Sequence, residues 1–314
     1  MTIKMKISYI VPVFNGEKYI KKCVDSIESA NNSDDFEIII VNDGSTDNTS
    51  RIIEEISNVY RNIKNYFIAN SGVSSARNFG ISKANGDFVS FVDCDDEIQH
   101  VNIPFEDNAD LYSFGMASEN SSIKKCIPFN DSGIINNFIK YPVYMNSVCN
   151  KFFRRSIIEE NNICFDAELF TSEDMKFVLD FLLTGANIEY INQTYYVYRM
   201  NDNSVTHKRI DIRTIANFHL AYEKVLRSCE AVGAEVRYKK LLTYLRLKSS
   251  ILYLIDLDTF SAQTFRENTH HSDIWIYSKN VFLTFITLAA QLHVDFIPYI
   301  YAVCRSKKLA HNKG

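Results

Sequence analysis

The sequence has neither the glycine fingerprint G-x-G-x-x-G nor the phosphate loop G-x-x-x-x-G-K-[ST]. A dinucleotide dehydrogenase and a P-loop NTPase are thereby disfavoured. It has no C-x-x-C pair: Cys23, Cys94, Cys126, Cys149, Cys164, Cys229 and Cys304 are odd in number and scattered. That pattern favours reduced thiols of a cytosolic protein over disulfides or zinc. Positive charge is not in excess, the formal net charge being -4 and the pI near 6.0, so no nucleic-acid partner is expected. Met1 to Lys6 is too polar for a targeting segment. The least polar stretch runs from Val281 to Ala290 and on past Gln291 and His293 to Phe296 and Tyr301. Asp295 interrupts it, and the uninterrupted apolar part is too short to span a bilayer. What the 314 residues do have is 46% hydrophobic content, enough for one large core and a smaller appended unit.

Phe88-Val89-Ser90-Phe91-Val92 has the length and composition of a fully buried strand, and it ends in Asp93-Cys94-Asp95-Asp96, three carboxylates in four residues. Anions crowded at a strand end repel one another unless a cation joins them. A divalent metal carrying a phosphorylated ligand would do so; an acidic surface turn is the alternative. Upstream, Lys6 to Phe14 runs into Asn15-Gly16, and Phe36 to Val41 runs into Asn42-Asp43-Gly44-Ser45. Tyr19, Ile20, Cys23, Val24 and Ile27 then share one helical face. Ile52, Ile53 and Ile56 share another, with Asp47 placed to start that helix. A shorter strand, Tyr66 to Ala69, precedes Asn70-Ser71-Gly72 and a segment with Ala76, Arg77, Phe79 and Ile81. The β-α-β-α-β-α-β order predicts an α/β fold with a mostly parallel, Rossmann-like sheet, right-handed crossovers and helices on both faces.

In such a sheet ligands bind at the carboxyl edge, so the loops bring Asn15, Asp43, Arg77, Asp93 and Asp95 near one another. A carboxylate such as Asp43 can accept a hydrogen bond from a base imide, and Arg77 can pair with phosphate or stack on a ring. Capping and turn roles are the alternative for each acid, more so for Asp47 than for Asp43.

These residues resemble the inverting glycosyltransferases of family 2, which share the GT-A fold. The matching pieces are Ile10-Val11-Pro12-Val13-Phe14-Asn15 with Tyr19, Val41-Asn42-Asp43-Gly44-Ser45-Thr46-Asp47, Asn70-Ser71-Gly72, Ala76-Arg77-Asn78-Phe79-Gly80, Gly86-Asp87 and Asp93-Cys94-Asp95-Asp96. Ordered motifs at the usual spacing make the match specific over roughly residues 6 to 97. The resemblance implies that Pro12, Val13 and Asn15 hold the nucleotide base and ribose together with Asp43 and Arg77. It implies further that Asp93 lies near the ribose, and that Asp95, with Asp93 as a further candidate ligand, reaches an Mn²⁺ or Mg²⁺ bridging the two phosphates. Cys94, within the same binding turn, stands where the family often has Ser; no loss of metal binding is expected from it.

Inversion by direct displacement needs a general base opposite the leaving group. Glu173-Asp174 follows Leu169-Phe170-Thr171-Ser172 and precedes Met175, Phe177, Val178, Phe181 and Leu182 at helical spacing, so both acids sit at a helix N-terminus. Helix capping with Ser172 would explain them too. The resemblance makes Asp174 the base and Glu173 a supporting residue that contacts acceptor or donor sugar.

Val148-Cys149-Asn150-Lys151-Phe152-Phe153-Arg154-Arg155 looks like the family's Asn-Lys segment, which puts Asn150 or Lys151 at the border of the sugar pocket; Arg154 and Arg155 are expected to be solvated. Tyr195-Tyr196-Val197-Tyr198-Arg199 followed by Asn203-Ser204-Val205-Thr206-His207 resembles the segment that folds over the donor. Arg199 or His207 would help neutralise the departing diphosphate, and His207 is a candidate further metal ligand.

From about Ile210 the pattern becomes helical. Tyr222, Val225 and Leu226 form one stripe; Leu241, Tyr244, Leu245, Leu252 and Ile255 form another. Residues 1–209 are therefore expected to form the catalytic domain. Residues 210–314 would be a helical extension that packs on it, on a second copy as a homodimer, or, through Arg305, Lys307, Lys308 and Lys313, on an anionic membrane surface. The resemblance points to a cytoplasmic enzyme at the inner face of the membrane. It would move a hexose or N-acetylhexosamine from a UDP-sugar to a glycan or lipid-linked glycan of a bacterial surface polysaccharide, lipopolysaccharide or capsule. A sugar nucleotidyltransferase is the first rival, but no glycine-rich basic loop accompanies Pro12 to Gly16. A nucleotide-sugar-binding protein without transferase activity is the second, and it would have no need of Asp174.

Overall fold

The computed structural model describes residues 5–31, 35–103, 109–118, 145–199 and 212–253. The chain divides into two compact units, residues 1–207 and 208–314. In the first, strands β1 (Ile7–Val13), β2 (Phe36–Asp43), β3 (Ile63–Ile68) and β4 (Phe88–Phe91) alternate with helices α1 (Ile20–Ala30), α2 (Thr49–Val59) and α3 (Val73–Lys83). Every residue of β1, β2 and β4 is buried, as strands covered on both faces require. The helices bury the stripes that periodicity predicts: Ile20, Cys23, Val24 and Ile27 in α1, and Ile53 and Ile56 in α2. β3 begins earlier than Tyr66 to Ala69 suggests, and its alternating exposure marks it as the sheet edge.

The strand order is β3-β2-β1-β4-β7-β6-β8-β5, with β5 (Glu97–Ile98), β6 (Leu111–Ser118), β7 (Lys151–Arg154) and β8 (Ile188–Tyr198) completing the sheet. β1 pairs in parallel with β2 on one side and β4 on the other, so the direction of winding reverses at β1. The crevice beyond its carboxyl end is the topological switch point where open α/β sheets bind ligands. The second half of the sheet is less parallel than the first: β7 runs antiparallel to both β4 and β6, and β5 antiparallel to β8. The full sheet is therefore mixed.

α4 (Arg155–Glu160) and α5 (Glu173–Leu183) follow β7. An aromatic cluster fixes the approach to α5. Phe91 meets Phe153, Phe165 and Phe177 edge-on, and Phe165 stacks on Phe177 with ring centres 4.2 Å apart. α3 lies against β1 at Gly80, where a Cβ would come within 2.4 Å of Ile10 Cγ2. In the second unit, α6 (Ile212–Ala231) and α7 (Glu235–Tyr253) are joined through Gly233 at φ 65°, with the Ala234 N–H bonded to Cys229 O at 2.8 Å. Tyr222, Val225, Leu241 and Leu245 are buried there. Ile255, the apolar stretch from Val281 to Tyr301 and the basic tail lie outside the described residues.

Candidate active site

The loops after β1 and β2 are stitched into one surface. Asn15, at φ 51°, donates its N–H to Ser45 Oγ (2.9 Å) and accepts from the Thr46 N–H (2.8 Å). Gly16 donates to Thr49 Oγ1 at 2.9 Å, and Asp47 accepts from the backbone N–H groups of Glu17 and Thr49. Asp47 thus serves the first turn of α2 as expected. Pro12 and Val13 are buried at the end of β1, while Phe14 and Asn15 are exposed beyond it.

Asp43 carries a structural load that sequence reading gives mainly to Asp47. Its two carboxylate oxygens accept from Ser71 N–H (2.7 Å) and Gly72 N–H (2.9 Å), tying the end of β2 to the start of α3. The side chain is buried within that contact, and the remaining lone pairs of its oxygens are what it has to offer a ligand.

The acid turn follows β4. Cys94 packs on the β1 loop, since a Cβ on Gly16 would meet its Sγ at 3.2 Å; burial and the flanking acids push its thiol far up, so it is not a thiolate. Asp95 is half-buried. Asp96 is buried and bonded on both oxygens, by Tyr196 Oη–H at 2.6 Å and by the Arg199 N–H at 2.7 Å. Burial, and then repulsion from Asp93, raises its carboxyl to about 7. Asp93 N–H in turn donates to Tyr196 Oη at 3.2 Å.

Arg77 joins this turn to the acids of α5. Its Nη2 donates to Asp93 Oδ1 at 2.8 Å, and its Nη1 to Asp174 Oδ1 at 2.6 Å, with Glu173 Oε1 at 3.5 Å. Asp174 Oδ2 faces the Val148 N–H at 3.4 Å. Burial raises the carboxyls of both Glu173 and Asp174. Repulsion from Asp174 adds to this for Glu173 and repulsion from Asp93 for Asp174, while Arg77 opposes the rise in each. Ser172 stands at the N-cap position with φ 65° and makes no side-chain cap, so its hydroxyl does not account for the acids that follow.

Residues 8–161 match the family model described as Glycosyl transferase family 2. The chain carries a glycosyltransferase family 2 domain. Among curated relatives, glycosyltransferase EpsJ of Bacillus subtilis is 31% identical over 218 residues, 64% of this chain and 62% of EpsJ. The poly(ribitol-phosphate) beta-N-acetylglucosaminyltransferase TarS of Staphylococcus aureus is 30% identical over 212 residues, 62% of this chain and 35% of TarS. The chain thus spans under two thirds of either relative's length. Its fold is the GT-A fold of solved family structures: S. aureus TarS 1-349 in complex with UDP-GlcNAc aligns with a TM-score of 0.68 at 20% identity, over 97% of this chain and 92% of that one. A mannosyltransferase from Pyrobaculum calidifontis, in complex with GDP-Man and Mn²⁺, aligns at 0.53 and 13% identity, over 96% and 88%.

Several side chains stand elsewhere than sequence reading puts them. Arg154 and Arg155 are not simply solvated. Arg154 Nε bonds Asp110 Oδ1 at 3.0 Å and its guanidinium lies over the Phe88 ring, while Arg155 Nε bonds Gly86 O at 2.6 Å. Both are held because β7 runs beside β4 and brings them to the amino-terminal side of that strand. Arg199 pairs with Glu97, which Lys22 also contacts at 2.9 Å. Lys151 is buried, with Nζ bonded to Ser147 O (2.6 Å) and Asn150 Oδ1 (2.8 Å), and burial lowers its ammonium to about 7. His207 lies outside the described residues. Tyr196 and Asn78 lie inside motifs that resemble the family's, but sequence reading gives neither of them a role. Yet Tyr196 holds the acid turn, and Asn78 clamps Phe165 by bonding both its N–H and its C=O, each at 2.8 Å.

Among the described residues no three His, Cys, Asp or Glu side chains form a group able to hold a metal on protein ligands alone. Asp93 and Asp95 are nevertheless hard oxygen donors, of the kind that binds Mg²⁺ or Mn²⁺ through one or two carboxylates plus the phosphates of a substrate. The donor set fits a cation shared with a diphosphate.

Proposed function

We propose that this chain is a metal-assisted, inverting glycosyltransferase that moves a hexose or N-acetylhexosamine from a UDP-sugar to a hydroxyl of a bacterial surface glycan or lipid-linked polymer. The observation that carries this reading is the guanidinium of Arg77, bonded on one side to Asp174 at 2.6 Å and on the other to Asp93 at 2.8 Å. A candidate base and the acid turn at the switch point share one side chain. TarS, a poly(ribitol-phosphate) beta-N-acetylglucosaminyltransferase whose residues 1-349 are solved with UDP-GlcNAc, supports the donor and acceptor class.

In the reaction Asp174 takes the proton of the acceptor hydroxyl as its oxygen bonds the anomeric carbon. The bond from that carbon to the diphosphate oxygen breaks, and UDP leaves with the electron pair. Burial makes the Asp174 carboxylate a stronger proton acceptor than one in water, and the Arg77 guanidinium opposes that rise. Asp95, assisted by Asp93, would hold the Mn²⁺ or Mg²⁺, which when bound supplies positive charge for the leaving diphosphate. Pro12, Val13, Asn15 and Asp43 line the edge where base and ribose would lie. The α6–α7 unit is assigned to packing, self-association or the cytoplasmic membrane surface. No helix among the described residues is long and apolar enough to cross a membrane.

The test is a panel of UDP-, GDP-, dTDP- and CMP-sugars with a polymer acceptor and Mn²⁺, following nucleotide release and the anomeric configuration of the product. Release from one UDP-sugar, inversion at the anomeric carbon and loss of release with EDTA are expected. Release from another nucleotide's sugar, retention of configuration or indifference to EDTA would each overturn the corresponding part.

A further inference from the structure

We propose that Arg77 is the positioning residue of the base rather than a nucleotide-binding residue: one nitrogen of its guanidinium fixes Asp174, and the other ties that carboxylate to the acid turn through Asp93. This rests on the assignment of Asp174 as the base. Arg77 is 3% exposed and the two terminal nitrogens of its guanidinium are committed to carboxylates, so it presents almost no surface to a ligand. Its Nε–H is buried without a hydrogen bond, a cost that the two charge-assisted bonds outweigh. Its guanidinium carbon lies 5.1 Å from the centre of the Phe165 ring, which is itself stacked on Phe177 of α5. The next residue, Asn78, grips Phe165 by both backbone polar groups. Two consecutive residues of α3 therefore set both the backbone leading to α5 and the carboxylate at its start.

The charge count around Asp174 explains why a guanidinium is needed there. Asp93, Glu173 and Asp174 converge on Arg77, and the other groups facing Asp174 are the Val148 N–H, the buried Lys151 ammonium and the Cys149 thiol. Lys151 directs hydrogen bonds to Ser147 O and Asn150 Oδ1, and burial weakens its hold on its own proton. Without Arg77 three carboxylates face one another with no guanidinium between them, and Asp174 retains its proton to higher pH. A protonated Asp174 cannot accept the proton of the acceptor.

The experiment compares Arg77→Gln and Arg77→Lys with the parent enzyme by UDP calorimetry and by the pH profile of kcat. UDP affinity within about threefold of the parent, kcat lower by roughly 100-fold in Arg77→Gln, and an acid limb moved to higher pH are expected. Arg77→Lys, which keeps the charge and loses the fork, should show a smaller fall in kcat in the same direction; it carries the same readouts if Arg77→Gln does not fold. UDP affinity weakened about tenfold or more with the acid limb in place would put Arg77 on the nucleotide and overturn the proposal. Asp174→Asn separates the two assignments. Wild-type turnover in that variant removes the base itself, whereas an inactive Asp174→Asn beside Arg77 variants with an unshifted acid limb removes only the role given to Arg77.

Discussion

Tyr196 Oη donates a 2.6 Å hydrogen bond to the buried carboxylate of Asp96. The same oxygen receives the Asp93 N–H at 3.2 Å, so one phenol on β8 holds both ends of the acid turn, about a hundred residues away in the chain. Tyr196→Phe removes the donor and leaves Asp96 with the Arg199 N–H. Above about pH 7, where Asp96 is ionised, stability should fall by about 2 kcal/mol, the usual loss for a hydrogen bond to a buried charged group. A urea midpoint equal to the parent's would mean that the turn is held by other contacts.

Stability should also depend on pH through Asp96. Its carboxyl is raised from 3.8 to about 7 in the folded chain, first by burial and then by Asp93. The folded state therefore binds the proton more tightly than the unfolded state does. The contribution is fully present below the unfolded value near 3.8 and is lost as pH rises to about 7. Asp96→Asn removes that dependence. Over a pH series spanning that window, the parent's urea midpoint should drop by more than the variant's; parallel curves would contradict a proton held by Asp96.

Gly86 approaches β1 so closely that a Cβ would lie 2.7 Å from Ser8 N and 2.8 Å from Lys6 O. Both are backbone atoms of the central strand or its entry and cannot swing aside. Gly86→Ala should cost about 3 kcal/mol, at the upper end of overpacking penalties. Gly80→Ala meets first the Ile10 side chain, which can shift, and should cost less. Denaturant titration of the two variants checks the order, and the reverse order would show that the β1 backbone yields more readily than its side chain.

Much of the first half of the fold is legible in the sequence because its signals are local. The apolar runs into Asn15-Gly16, Asn42-Asp43 and Asp93 mark β1, β2 and β4 closely, and the buried stripes of α1 and α2 follow helical spacing. The antiparallel strands β5 and β7 are short, two and four residues, and leave too brief a pattern to announce themselves. At the site, residue types point to Asp43, Arg77, Asp93 and Asp174, but not to the partner each is bonded to. The Arg77–Asp174 pair spans 97 positions and Tyr196–Asp96 spans 100, and nothing in local spacing encodes such partners. Arg154 reads as solvated for the same reason: its ring and carboxylate partners come from strand pairing, not from its neighbours in sequence.

The central claim is that Asp174 is the base of a sugar transfer and not a structural acid at a helix start. Asp174→Asn, assayed side by side for UDP-sugar binding and for transfer to a polymer acceptor, tests it most directly. Binding within about threefold of the parent, with transfer lower by roughly 100-fold or more, is the predicted result. Transfer at the parent's rate, with binding intact, would contradict it.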